Sequence, residues 1–241
     1  MASSVLPAWE KAYRIVNSAF PPIAVFEDTL DPADLEVAFL IEGMTNDRLC
    51  DEAGQIQRVP PQDRVSGPGS TPIMAAFTHI GRASRFTDGT FGVYYCASSI
   101  AAAIAETRHH QEAFWRATAE ATIEVTMRTY VNQVVKPMED RRGDESLHHP
   151  EAIHYPITQA LGRQLREAGA WGLLYRSVRA PGHECVAALR PPALSLTTQG
   201  PHLRYRWDGR AQAFSYVLEV REASEAVYRE SRCSGDTQSP D

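Results

Sequence analysis

Four side chains, Arg85, Tyr95, Glu106 and Ser177, are of the types that bind and activate a charged substrate. A guanidinium is a planar, permanently charged fork suited to phosphate, and Arg14 offers a second one. A carboxylate such as Glu106 stabilises positive charge that develops on a reacting carbon. Tyr95 offers a flat wall, Ser177 a hydroxyl donor, and His110, one helical turn after Glu106, an imidazole on the same edge. Taken singly, each has a plainer reading. Arg85 and Glu106 fit solvated or ion-paired surface charges, Tyr95 fits strand packing, Ser177 a turn hydroxyl and His110 a packing histidine. Their ordered spacing says more, with Tyr95 ten residues after Arg85 and Glu106 eleven after Tyr95.

The elements that must position these groups are legible as patterns. Residues 12–16 read as a short strand, and residues 91–97 as another, with Val93, Tyr95 and Ala97 on one face and Tyr94 and Cys96 on the other. Ser98 or Ser99 then caps a helix. Its stripe of Ile100, Ala103, Ile104, Thr107 and Phe114 leaves Glu106 and His110 flanking the apolar side, where a helix borders a cleft. An earlier helix opens with Asp31 as N-cap and Pro32, buries Leu35, Ala38 and Phe39, and ends near Asn46.

Residues 60–71, rich in Pro, Gly and Ser, and the polar stretch 139–150 read as loops, the latter flexible. Alternation through Ile123, Val125, Met127 and Thr129 predicts a half-buried strand. Ile157, Ala160, Leu161, Leu165 and Ala168 define a helix face ending at Gly169. Two apolar strands flank Pro181-Gly182, and Asp208-Gly209 predicts a type I′ hairpin turn between 203–207 and 213–220. The expected fold is a single mixed α/β (α+β) domain with interrupted, mainly antiparallel sheets over residues 1–228, followed by a disordered tail, 229–241.

Composition narrows the function classes. Of 241 residues, 43% are hydrophobic and 22% charged, enough for a packed core. The net charge of -6 argues against a general phosphate-backbone binder, so no direct nucleic-acid partner is expected. No apolar run is long enough to span a membrane, and the start lacks the pattern of a signal peptide, which makes the cytoplasm the expected address. Cys50, Cys96, Cys185 and Cys233 form no C-x-x-C pair, and the histidine doublets 109–110 and 148–149 join no ligand set, so no metal is expected. The 148–149 doublet reads as solvent-facing loop. Ser66-Gly67-Pro68-Gly69 lacks the lysine of a P-loop and reads as a connector.

The run Arg85-Phe86-Thr87-Asp88-Gly89, then Gly92-Val93-Tyr94-Tyr95 and Ala103-Ile104-Ala105-Glu106, resembles the central signature of RES-domain proteins. Tyr13-Arg14, Thr158-Gln159-Ala160-Leu161 and the 172–179 run containing Ser177 match three further family motifs, so the likeness covers roughly residues 13–190. Relative to compact members, the helix and loop around 23–80 look inserted, and Phe86-Thr87 stand where those members have tryptophan and asparagine.

The resemblance implies an ADP-ribosyltransferase-like fold and a toxin that destroys NAD+ by cleaving its nicotinamide–ribose bond. Arg85 and Glu106 would be catalytic, and Arg14, Tyr95, Ser177 and His110 would bind NAD+. No cofactor is implied beyond NAD+ as substrate and inorganic phosphate as a possible co-substrate. A helix-turn-helix antitoxin of the Xre kind is the implied partner. The acceptor stays open between phosphate, water and a protein side chain, the last of which would make the chain a mono-ADP-ribosyltransferase. A non-catalytic binding module is the alternative from another class.

Overall fold

The computed structural model describes residues 3–18 and 54–220. The expected helix from Asp31, the tail 229–241, and Cys50 and Cys233 lie outside the described residues. The strands are β1 (Ser4–Val5), β2 (Ala12–Asn17), β3 (Tyr94–Ala97), β4 (Thr122–Asn132), β5 (Met138–Asp140), β6 (Gly172–Arg176), β7 (Glu184–Ala188), β8 (Thr198–Asp208) and β9 (Ala213–Val220), of which β1 and β5 carry no pattern read from the sequence. They make one sheet in the order β1-β5-β6-β7-β3-β2-β4-β8-β9. Every neighbouring pair is antiparallel except β5 on β6. Among the described residues three α-helices, α1 (Thr71–Thr78), α2 (Ile100–Arg116) and α3 (Tyr155–Glu167), pack on it, giving the single mixed α/β domain.

Because side chains alternate across a strand, the central strands feed two cores. Tyr94, Cys96, Leu174 and Val186 pack on one side with Ile73, Met74 and Phe77 of α1. Ala97, Leu173, Tyr175, Cys185 and Ala187 pack on the other with Ala102 and Ala103 of α2 and Leu165 of α3, and Val93 and Tyr95 join them. Ile104 and Trp115 carry α2 onto a third cluster of Met127, Leu203, Tyr205, Trp207 and Phe214. The helix that bears Glu106 is thereby fixed along half the sheet.

Several local expectations are corrected. The 139–150 stretch is no free loop: it contains β5 and a 3-10 turn, Glu145–Leu147, with Leu147 buried. Arg142 ties Asp140 to Glu184 across it, an ionic anchor that a polar composition does not disclose. The buried side of α3 is Thr158, Leu161, Gly162 and Leu165, whereas Ile157 is 55% exposed and Ala160 and Ala168 face solvent. Close approach selects that face, since a Cβ on Gly162 would stand 2.0 Å from the carbonyl oxygen of Phe86. Phe114 is 52% exposed and so leaves the α2 stripe.

The β8–β9 hairpin forms, but not through a type I′ turn, which needs positive φ at both central residues. The connection spans residues 209–212, Asp208 Oδ1 accepts from the amides of Arg210 and Ala211, and Gln212 takes the positive φ of 52°. Helix α1 follows the Pro/Gly-rich segment directly and was not foreseen; Gly92 lets it approach, a Cβ there lying 2.3 Å from the Phe77 Cα.

Candidate active site

Arg85 sits at the tip of a tight turn closed by the Ser84 amide donating to the Thr87 carbonyl at 2.7 Å. Three elements hold that turn. From β3, the Tyr95 hydroxyl accepts from the Phe86 amide at 3.0 Å and is hydrogen-bonded to Ser84 Oγ at 2.7 Å. From α3, Thr158 Oγ1 donates to the Arg85 carbonyl and Gln159 Nε2 to the Ser84 carbonyl at 2.9 Å. From the 139–150 segment, the carbonyls of Leu147 and His149 accept from Arg85 Nη1 at 3.1 and 2.8 Å. The Thr158-Gln159 motif thus acts on the arginine's backbone, not on a ligand.

Arg85 is only 8% exposed, its Cζ lies 5.1 Å over the Tyr155 ring, and among the described residues it pairs with no carboxylate. Two carbonyls and a ring face orient a guanidinium without neutralising it, so its charge stays available to an anion. Burial pushes the Tyr95 phenol up to about 12, which keeps it a neutral partner for the turn. Its ring packs beside Phe86.

Glu106 lies on α2, whose start Ser99 caps by accepting from the Ala102 amide. Opposite it, the chain leaving β6 turns at Ser177, whose Oγ donates to Glu106 Oε1 at 2.8 Å. Ser177 Oγ in turn accepts from the amides of Arg179 and Ala180 at 3.3 and 3.0 Å. A hydroxyl has one proton to give. Ser177 therefore spends it on the carboxylate in this structure and orients Glu106. Glu106 Oε2 keeps its acceptor capacity.

A short chain of contacts links Arg85 to Glu106: Arg85 bonds the His149 carbonyl, Arg179 bonds the next carbonyl, that of Pro150, and Ser177, two residues before Arg179, holds Glu106. The buried Tyr175 phenol is raised well above its ordinary pKa, first by burial; Glu106 adds to that rise and Arg85 opposes it. The His110 imidazole is lowered, first by desolvation, with Glu106 opposing and Arg179 and then Arg85 reinforcing. His110 sits on the exposed edge of α2, its ring 5.4 Å from that of His109.

Sequence reasoning missed two groups here. Arg179 Nη2 meets His109 Nε2 at 2.8 Å and bonds the Pro150 carbonyl, while its buried Nε has no partner. An arginine two residues after the motif serine is the signal that could have found it. His148, expected to face solvent, is half-buried, with Nε2 accepting from the Arg176 amide at 3.1 Å; His149 does face solvent.

Arg14 is not brought into the cluster. Strand alternation aims it to the opposite side of the sheet, where its Cζ lies 4.5 Å over the Tyr94 ring and its Nη1 donates to the Tyr95 carbonyl at 3.2 Å. Tyr94 belongs to the α1-side core, whereas Tyr95 faces α2. The arginine that does lie beside Ser177 and His109 is Arg179.

Among the described residues no group of three or more His, Cys, Asp or Glu could hold a metal ion, and no helix is long and apolar enough to cross a membrane. A cavity of about 560 Å³ lies elsewhere, lined by neither Arg85 nor Glu106. At the cluster, by contrast, a carboxylate oriented by Ser177 lies close in the chain of contacts to two guanidiniums that pair with no carboxylate among the described residues.

Residues 61–208, more than half of the chain, match the RES domain, and the chain belongs to that family. An uncharacterised protein of Sinorhizobium fredii (strain NBRC 101917 / NGR234), y4oC, is 29% identical over 211 residues, covering 87% of this chain and 88% of its own. A chain from the crystal structure of the M. tuberculosis MbcT–MbcA toxin–antitoxin complex aligns over 95% of this chain and 92% of its own, at 13% identity and a TM-score of 0.38.

Proposed function

We propose that this chain is an NAD+-consuming toxin that breaks the nicotinamide–ribose bond, by phosphorolysis first and hydrolysis second, and is neutralised by an antitoxin of the Xre kind. The observation that carries the reading is the Ser177–Glu106 hydrogen bond beside an unneutralised Arg85, within a RES domain. As the C1′–N1 bond lengthens, its electron pair leaves with nicotinamide, which becomes neutral, and positive charge grows on the ribose.

Glu106, turned by Ser177, accepts a hydrogen bond from a ribose hydroxyl through Oε2 and lowers the energy of that charge more than that of the ground state. Arg85 and Arg179 hold the anionic side of the reaction, either the pyrophosphate or an incoming phosphate. With phosphate as acceptor, one of its oxygens bonds to that same ribose carbon, numbered C1″ in ADP-ribose, and the product is ADP-ribose 1″-phosphate; with water, the products are ADP-ribose and a proton.

Purified protein incubated with adenine-labelled NAD+, with and without phosphate, tests this. Nicotinamide release that a Glu106→Gln variant loses by about 10²–10³-fold is expected. Product dependence on phosphate assigns the acceptor. Label retained on protein would convert the reading to ADP-ribosyl transfer, and equal inactivity of both proteins would end it.

A further inference from the structure

The 560 Å³ cavity lies between the 3-10 turn Ile56–Arg58, the chain entering β3 and the outer side of α3, and its size is that of a small-molecule site. Apolar surface from Val59, Phe91 and Leu189 meets three guanidiniums there, those of Arg58, Arg163 and Arg166. Two of the acids on the wall are already engaged: Asp88 by Arg163, and Asp63 by Arg190 through two bonds of 2.8 and 2.6 Å. The third, Glu167, faces solvent.

Arg166 has no such partner among the described residues. Its Cζ lies 5.1 Å over the Phe91 ring and its best bond is a long one, 3.4 Å, to the Leu189 carbonyl. Burial lowers its pKa, with Arg190 reinforcing; Asp63 opposes, but both of its oxygens are bonded to Arg190. Arg58 donates to Gln55, a neutral group, and among the described residues it pairs with no carboxylate. A guanidinium seated on an aromatic face, with its forks largely unspent, is a receptor for a planar or tetrahedral anion.

We propose that this cavity binds a small organic anion, a carboxylate or phosphate carried on an apolar body, at a site separate from the Glu106 cluster. Helix α3 is the partition. Its Thr158 and Gln159 hold the Arg85 turn on one side, and its Arg163 and Arg166 line the cavity on the other. The assignment does not depend on the reaction at Glu106.

Calorimetric titration of the full chain with phenyl phosphate, phenylacetate and uncharged benzyl alcohol tests it. One of the two acids is expected to bind at one per chain, at least tenfold more weakly in Arg166→Ala and in Arg58→Ala, more weakly at high salt, and unchanged in Arg85→Gln. Which acid binds distinguishes a phosphate ligand from a carboxylate. Arg58 is exposed, so its variant keeps the test decisive if Arg166→Ala melts early. Saturation by neither acid, equal binding of benzyl alcohol, wild-type affinity in both cavity variants, or loss in Arg85→Gln alone would overturn the proposal.

Discussion

Ser177 and Glu106, 71 residues apart in the chain, are joined by a 2.8 Å hydrogen bond in which the serine gives its only proton to Oε1. The bond fixes which carboxylate oxygen is free. Ser177→Ala is expected to lower the rate of NAD+ cleavage about 10–100-fold with KM changed less than twofold, and to reduce stability by about 1 kcal/mol. Steady-state kinetics beside urea unfolding checks both. A KM effect with an unchanged rate constant would mean that Ser177 touches substrate after all.

Tyr95→Phe keeps the ring and removes the acceptor of the Phe86 amide. Leaving that part-buried donor unpaired is expected to cost about 1–3 kcal/mol, and the loosened Arg85 turn should raise KM for NAD+ more than it lowers the rate constant. Chemical denaturation and initial-rate measurements read the two effects separately.

Gly162→Ala forces a methyl against the Phe86 carbonyl on a helix that cannot yield without moving Thr158 and Gln159. A loss of about 1–3 kcal/mol is expected, the range of overpacking, together with loss of activity. A variant of wild-type stability would show that α3 is free to slide.

Arg14→Lys, on the far side of the sheet, is expected to leave KM for NAD+ within twofold of the parent. Arg179→Lys, beside His109, is expected to raise it at least tenfold, because an ammonium cannot bond His109 and a carbonyl in a fork. Reversal of that order would restore the assignment that the sequence alone suggests.

His148 is lowered from 6.5, first by burial and then by Arg176, and its Nε2 must stay unprotonated to accept from the Arg176 amide. A histidine whose folded pKa lies below the unfolded one contributes stability above the unfolded value, and that contribution is lost as pH falls through the folded one. His109 and His110 are lowered in the same direction. The urea midpoint is therefore expected to drop between pH 7.5 and 5, and to drop less in His148→Gln. An equal drop in the variant would acquit His148.

The strands and the α2 stripe were legible because burial imposes a period: Tyr94 and Cys96 against Tyr95 and Ala97, Ser99 before Ala102 and Ala103. The same alternation would have excluded Arg14, since Tyr95 is aimed at α2 and Arg14 crosses over Tyr94. The α3 face was misread because hydrophobicity favours Ile157, while the contact is set by what fits under Phe86, a small residue at 162 and a hydroxyl at 158. The carbonyls that hold Arg85 belong to a stretch whose order comes from Arg142 bridging Asp140 and Glu184, and long-range ion pairs leave no periodic trace.

The Glu106–Ser177 bond also has a timing. Ribosomes deliver Arg85, Tyr95 and Glu106 well before the strand that ends at Arg176, so a nascent chain owns an untethered glutamate until Ser177 clears the exit tunnel and β6 docks. Whatever chemistry the pair performs is withheld during most of translation.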